Sequence, residues 1–549
     1  MIQRSIVLAI ALITTLSVNS QELDEGKRIR LTQAVEQNVN GISPGLAVGI
    51  VVNGDIVYEE YRGYSNLENR TEINKSTRFN IASNAKQYTA LCILQLAEND
   101  SLTLSDDIRK YLPELYNDID ETITISQLIS HTSGIRDVHY LWSLKGQTWW
   151  KLFVGNDDAI ELITNQTDLN FKPGTEYLYS NSNYILLAEI VERVSGKNFG
   201  EYALGFFEAQ QMKETAFLTN NMAVVPNRAR PYGNWNGWIE YPYITEIHGD
   251  GGLFTTLRDQ LQWEKIVQDN DGDNISTTIL SASQARIPGV STTEYGHGLM
   301  FAVYKGLEYS YHDGSTGAYS ATFLRFPKEK TSIVVVSNSG KVSSNSLAKQ
   351  LADITLNLNE EMREYPAGPE EIQKLASLES ITGNYLTQDN TLIKIVEKEG
   401  ALYREIYQRD PVRLIQEDEG LFYYETFEDL KMNFTKDENG NASFTIYLSS
   451  QPPNTGTKLP DFTGDTTHDS NFDGSYYNDE TDTRVSIKHV EDTFYSITKD
   501  GKELAAELLL KDVLRMDSYE IKFRRNKKGR VDGLLVENGR IKNVFFRKI

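Results

Sequence analysis

The stretch Gly45-Leu-Ala-Val-Gly-Ile-Val-Val52, Asn53-Gly54-Asp55, Ile56-Val-Tyr-Glu-Glu-Tyr61 constrains the fold more than any other segment of the chain. Two runs rich in β-branched and aromatic residues are joined by an Asn-Gly pair, and these two residue types enter the left-handed backbone of a tight hairpin turn at low cost. Similar apolar runs return much later, at Leu299–Tyr304, Ala318–Phe326 and Thr331–Ser337. Between them the spacing is helical: Ser83–Leu96, short patterns over 123–165, and Asn183–Val194 ahead of Gly196. Two more helices are expected at Glu22–Asn38 and Ser346–Leu356. A hairpin near one end and strands near the other predict one sheet assembled from both ends of an α+β domain over residues 21–358.

Beyond Leu358 the composition shifts. Residues 359–371, NEEMREYPAGPEE, are charged, hold two prolines and a glycine, and read as a linker. Short alternating runs follow, such as Thr391–Val396, Ala401–Tyr407, Leu421–Thr426 and Ser443–Leu448. Ile381-Thr-Gly-Asn-Tyr385 recurs about 90 residues later as Phe472-Asp-Gly-Ser-Tyr476, and Phe434 and Gly440 recur as Phe523 and Gly529. Two small barrel-like all-β domains, 372–460 and 461–549, are expected.

The first twenty residues are of another kind. Arg4 precedes the apolar run Ile6–Ile13, and Val18-Asn19-Ser20 offers a small-residue cleavage site before Gln21. The run falls short of the ~20 residues of a spanning helix, so it predicts a cleaved export signal, a periplasmic or secreted protein and no membrane span in the mature chain. The single cysteine, Cys92, excludes an internal disulfide and a cysteine-based zinc site, and its place in an apolar helix suits packing. With Lys+Arg 55 against Asp+Glu 77, a net charge of −22 gives no basic field for a nucleic acid partner.

Three short motifs could carry chemistry. Ser83-Asn-Ala-Lys86 opens a helical stretch, which sets the lysine one turn from the serine on the same face and the serine at the positive end of the helix dipole. Ser346–Lys349 and Ser496–Lys499 share the spacing, and so do Tyr64–Asn66, Tyr232–Asn234 and Tyr476–Asn478 with the second motif, Tyr179-Ser-Asn181. The third is His312-Asp-Gly314, running through Ser315 into a strand. Taken singly, Ser83 and Asn181 read as helix caps, and Tyr179 and His312 as structural residues.

In order, these three motifs resemble the serine hydrolases that include class C β-lactamases, DD-peptidases, D-aminopeptidases and related esterases. Leu128-Ile-Ser-His131-Thr-Ser-Gly134-Ile135 and Gly249-Asp-Gly-Gly252-Leu-Phe-Thr-Thr256 look like the same family, and the resemblance covers about residues 22–358. It implies an antiparallel sheet flanked by helices plus a helical subdomain, with the site between them. Ser83 would be the acylated nucleophile, with Lys86 and Tyr179 sharing its proton and neither singled out as the base. The backbone N–H groups of Ser83 and Ser315 would stabilise the oxyanion. Asn181 would orient the substrate amide, His312 and Gly314 would line the site, and His131 would be structural. No metal or organic cofactor is implied. The histidine of the third motif, where β-lactamases carry lysine, is mostly neutral near pH 7.5, so substrates without a carboxylate beside the scissile bond are expected. A D-aminopeptidase-like amide or ester hydrolase is the leading expectation, the two tail barrels being a weaker parallel. The alternatives are a β-lactamase, a carboxylesterase, a penicillin-binding protein that acylates without turnover, and a glycan-binding protein with an inactive hydrolase domain.

Overall fold

The computed structural model describes residues 23–358 except 235, 242 and 288–294, and residues 378–549 except 388–391, 406–410, 419, 426, 437–440, 449–450, 460–468, 492–493 and 517–518. The export segment, the 359–371 linker and Gly440 lie outside the described residues.

The hairpin forms as its sequence dictates: β1 (Leu46–Val52) and β2 (Asp55–Arg62) meet through Asn53 and Gly54, at φ 51° and 81°. The late strands are β3 (Met300–Tyr304), β4 (Leu307–Thr316), β5 (Tyr319–Phe326) and β6 (Thr331–Ser337). All six form one antiparallel sheet in the order β3-β4-β5-β6-β1-β2, so β1 lies between β2 and β6 with Leu46 opposite Arg62 on one side and Ser337 on the other. The sheet is thus closed from both ends of the domain. Leu46, Val48, Ile50, Ile333 and Val335 pack with helices α1 (Glu25–Glu36) and, at the domain's end, Ser344–Leu356. Ala47, Val51, Val334 and Val336 face the larger core on the other side. Burial on both faces is why β1 and β6 read as near-continuous apolar runs rather than alternating ones.

On that second face lie α2 (Lys86–Glu98), α3 (Asn181–Ser195) and α4 (Leu257–Asp269). Helix α2 is buried nearly all round, so its polar residues need partners: Gln87 Oε1 accepts from Trp263 and from Arg325, which is itself paired with buried Glu264 at 2.7 Å. Cys92, fully buried here, has its thiol pushed up to about 12 by desolvation, as suits a packing residue. Three boundaries differ from expectation. Ser83 sits in a 3₁₀ turn, Ala82–Ala85, ahead of α2; α3 begins at Asn181 rather than Asn183; and His312 lies inside β4 rather than before a strand.

Each tail segment closes into an eight-stranded antiparallel barrel in sequential order, one from Gly383–Thr387 to Gln451–Lys458, the other from Gly474–Asn478 to Ile541–Lys548. The sequence repeat has a physical basis. Tyr385 Oη donates to Ile381 O at 2.8 Å and Tyr476 Oη to Phe472 O at 2.7 Å, the same corner at the start of each barrel. Gly383 and Gly474, at φ 138° and 144°, turn the chain there in a conformation that side chains rarely adopt. The first barrel has its own core, whereas the core of the second runs into that of the helical side of the hydrolase-like domain. No helix among the described residues is long and apolar enough to cross a membrane.

Candidate active site

The Ser83 turn is built by a strained residue. Ala82 has φ 46°, unusual for a side chain with a Cβ, and its N–H is held by Asn80 Oδ1 at 2.8 Å. The turn leaves Ser83 partly exposed while Ala82, Asn84, Ala85 and Lys86 are buried. Strand β4 runs against it so closely that a Cβ on Gly314 would lie 2.1 Å from Ile81 O. Glycine is required at that position, and the approach brings exposed Ser315 beside the turn.

Lys86, 0% exposed, spends its three donors at once: on Ser83 Oγ at 3.1 Å, Asn181 Oδ1 at 2.9 Å and the backbone carbonyl of Asp250 at 2.6 Å. Desolvation lowers its pKa from 10.5 to about 8, against the pull of the Asp250 and Asp137 charges and with help from Arg540. Tyr179 lies with its ring 5.0 Å from Lys86 Nζ. Burial raises its phenol above the ordinary range, while the Arg540 charge and a hydrogen bond with Ser83 pull it down. Behind it sits His131, ring centroids 4.2 Å apart, whose Nδ1 accepts from Ser180 N and faces Asn183 Nδ2 at 3.1 Å. Burial keeps His131 uncharged well below its usual range, in the structural position the sequence suggested.

Asn181 opens α3 with its amide committed at both ends, Oδ1 to Lys86 and Nδ2 to Asp137 Oδ2 at 2.9 Å, leaving one N–H over. His312 is 2% exposed with both ring nitrogens engaged: Nδ1 lies 2.7 Å from Asp313 O and Nε2 3.0 Å from Tyr295 Oη. A carbonyl can only accept, so Nδ1 carries the proton and Nε2 accepts from Tyr295. Burial and the nearby Lys86 lower its pKa to about 3. It stands 6.2 Å from the Tyr179 ring, beside the Ser83–Lys86–Tyr179 group.

The other motif matches fall apart. Ser496 and Lys499 lie on a barrel strand, and Tyr64, Tyr232 and Tyr476 lie within strands, so these do not reproduce the helical geometry. Ser346 and Lys349 do share a helix, Ser344–Leu356, but there Ser346 Oγ pairs with Ser343 Oγ at 2.8 Å and Lys349 Nζ lies over the Tyr304 ring. Sequence reasoning missed Asp137, Asp250, Tyr295 and Arg540. Asp137 accepts from four N–H groups, those of Asn181 (N and Nδ2), His139 and Tyr140, and so ties the start of α3 to Val138–Leu144. Asp250 lay within the recognised Gly249–Thr256 stretch, but its backbone carbonyl holds Lys86, and side-chain type does not signal that role. Arg540 comes from the last hairpin of the second barrel and lies 4.5 Å over the Tyr179 ring.

Residues 31–356 match the family model described as Beta-lactamase. The chain belongs to that family. Family members similar to it include Penicillin-binding protein 4* of Bacillus subtilis, 24% identical over 72% of this chain and 90% of that protein. A D-aminopeptidase of Cereibacter sphaeroides is 27% identical over 69% of this chain and 70% of its own length. The chain spans 64% of Protein flp of Staphylococcus aureus, at 28% identity. Among solved structures, an octameric penicillin-binding protein homologue from Pyrococcus abyssi shares the fold, with a TM-score of 0.57 and 23% identity over 79% of this chain and all of that one.

Proposed function

We propose that the protein is an exported serine hydrolase that cleaves amide or ester bonds through an acyl-Ser83 intermediate, with D-aminopeptidase-like chemistry. The observation that carries this reading is the buried Lys86 amine at 3.1 Å from the Ser83 hydroxyl, its pKa lowered to about 8. A group poised near neutrality can both take and return a proton. Neutral Lys86 takes the Ser83 proton as Oγ attacks the acyl carbonyl. The backbone N–H groups of Ser83 and Ser315 face the developing oxyanion, and Tyr179, a phenol at neutral pH, gives its proton to the leaving group and regains one from the protonated Lys86 beside it. Water then releases the acyl group by the reverse relay. The remaining N–H of Asn181 orients the substrate amide, and His312 supports the group through Tyr295. Family membership and the resemblance to a D-aminopeptidase support the substrate class. The Arg4 to Ser20 segment supports export, which is checked by whether the secreted chain starts at Gln21.

A serine-directed phosphonate is expected to label Ser83. Ser83→Ala abolishes both labelling and steady turnover of a p-nitrophenyl ester while leaving the melting temperature nearly unchanged. Label on Ser346 or Ser496 overturns the assignment, and a single burst without turnover marks an acylating receptor.

A further inference from the structure

We propose that Arg540, at the tip of the last hairpin of the second barrel, determines the specificity of the Ser83 site by taking a carboxylate on the leaving-group side of the substrate. The inference rests on the reading of Ser83 and Tyr179 given above, and it changes the substrate expected from His312 alone.

The tip is clamped by its backbone, not by its guanidinium. Arg540 O accepts from Asn170 Nδ2 at 3.0 Å and from Asp137 N at 3.3 Å, and the following Lys542 N donates to Asn170 Oδ1 at 2.7 Å. Arg136 reaches the same strand, donating to Lys542 O at 3.1 Å and to Asn543 O at 3.2 Å. The side chain is therefore presented at a fixed place whatever it binds. It lies over two rings, 4.5 Å from that of Tyr179 and 5.6 Å from that of Tyr140, with about a third of its surface (32%) open.

Its donors are unspent. The nearest carboxylate, Asp137 Oδ2, is 3.6 Å from Nη1, beyond hydrogen-bond length, and Asp137 is already satisfied by four N–H groups. Among the described residues none accepts a hydrogen bond from the Arg540 guanidinium. A planar fork of N–H donors held over an aromatic face, partly desolvated and open on one side, suits bidentate binding of a carboxylate. The other basic groups beside Ser83 are occupied: Lys86 has three acceptors and the neutral His312 ring has two partners. Because Arg540 stacks on Tyr179, the group that passes the proton to the leaving group, the anion it holds belongs to that part of the substrate.

The test compares two esters of equal shape, 3-carboxyphenyl acetate and 3-carbamoylphenyl acetate, on the full-length protein and its Arg540→Gln and Arg540→Lys variants. The wild type is expected to prefer the acid in kcat/KM by about 10- to 100-fold, the range of a charged hydrogen bond. Arg540→Gln removes that preference by raising KM for the acid, while the loss of its charge beside Lys86 and Tyr179 acts on both esters alike and so leaves the ratio to report the carboxylate contact. Arg540→Lys restores part of it. No preference in the wild type, or an equal loss on both esters that leaves their ratio unchanged, overturns the proposal. Undiminished hydrolysis of both esters by Ser83→Ala would instead overturn the serine mechanism beneath it.

Discussion

In the proposed mechanism Lys86 decides when Ser83 can react. Only the neutral amine accepts the serine proton, and with a pKa lowered to about 8 the amine is neutral in about a tenth of molecules at pH 7. Since the protonated form is the inactive one, kcat/KM for a neutral ester should rise with pH and level off above about 8. Lys86→Ala and Tyr179→Phe should each lower kcat by ~10²–10⁴. A flat profile from pH 6 to 9 would remove Lys86 as the base. At this scale the sequence was legible where chemistry needs side chains at helical spacing, as with Ser83 and Lys86. It was silent where a backbone atom acts, as at Asp250, or where a residue arrives from a distant domain, as with Arg540. The neutral His312 pointed away from a carboxylate beside the scissile bond, whereas the role proposed for Arg540 sets a single clamped cation over the Tyr179 ring.

The elements that place these groups were legible in proportion to their burial pattern. The hairpin turn announced itself through Asn53 and Gly54, and α2 through its apolar run. The start of α3 was blurred because Asn181 serves Lys86 and Asp137 as well as the helix. The extent of β4 was hidden because His312, Asp313 and Gly314 read as leading through Ser315 into a later strand, although the sheet pairs His312 to Ser315 with Phe323, Thr322, Ala321 and Ser320. Tertiary pairing overrode local propensity there. The same strand makes a sharp prediction: in Gly314→Ala the added methyl would stand 2.1 Å from Ile81 O and 3.0 Å from Asn84 Nδ2, so β4 must withdraw from the Ser83 turn. Misplacing one oxyanion donor costs about 10²–10³ in kcat. The variant should stay folded, with p-nitrophenyl ester turnover reduced by that factor. Near-normal kcat would show that the Ser315 N–H takes no part.

The whole molecule was read from the sequence as a hydrolase-like domain with a separable tail, and the two barrels differ in this respect. The interior of the first is a closed cluster around Tyr385, Phe422, Phe434 and Phe444. That of the second, around Phe472, Tyr476 and Phe523, is continuous with the helical core that carries α2 and α3. Polar contacts reinforce the junction. Arg136, 1% exposed, reaches Glu480 at 3.0 Å as well as the two carbonyls of the last strand, and Glu480 also accepts from Thr167 N at 2.9 Å. Shared burial makes cooperative units, so differential scanning calorimetry should resolve two transitions rather than three, the larger covering the hydrolase-like domain and the second barrel together. Arg136→Ala leaves Glu480 with one partner fewer, and losing one side of a buried ion pair costs about 3–5 kcal/mol. That variant should lower or split the larger transition, leave that of the first barrel in place, and weaken turnover as the Arg540 tip loses its seat. Three independent transitions in the wild type, or a first barrel that melts with the hydrolase-like domain, would contradict this coupling. A protein whose last hairpin completes the wall of its site gains a specificity contact only while the second barrel is docked, so partial unfolding of that barrel should alter substrate choice before it abolishes reaction at Ser83.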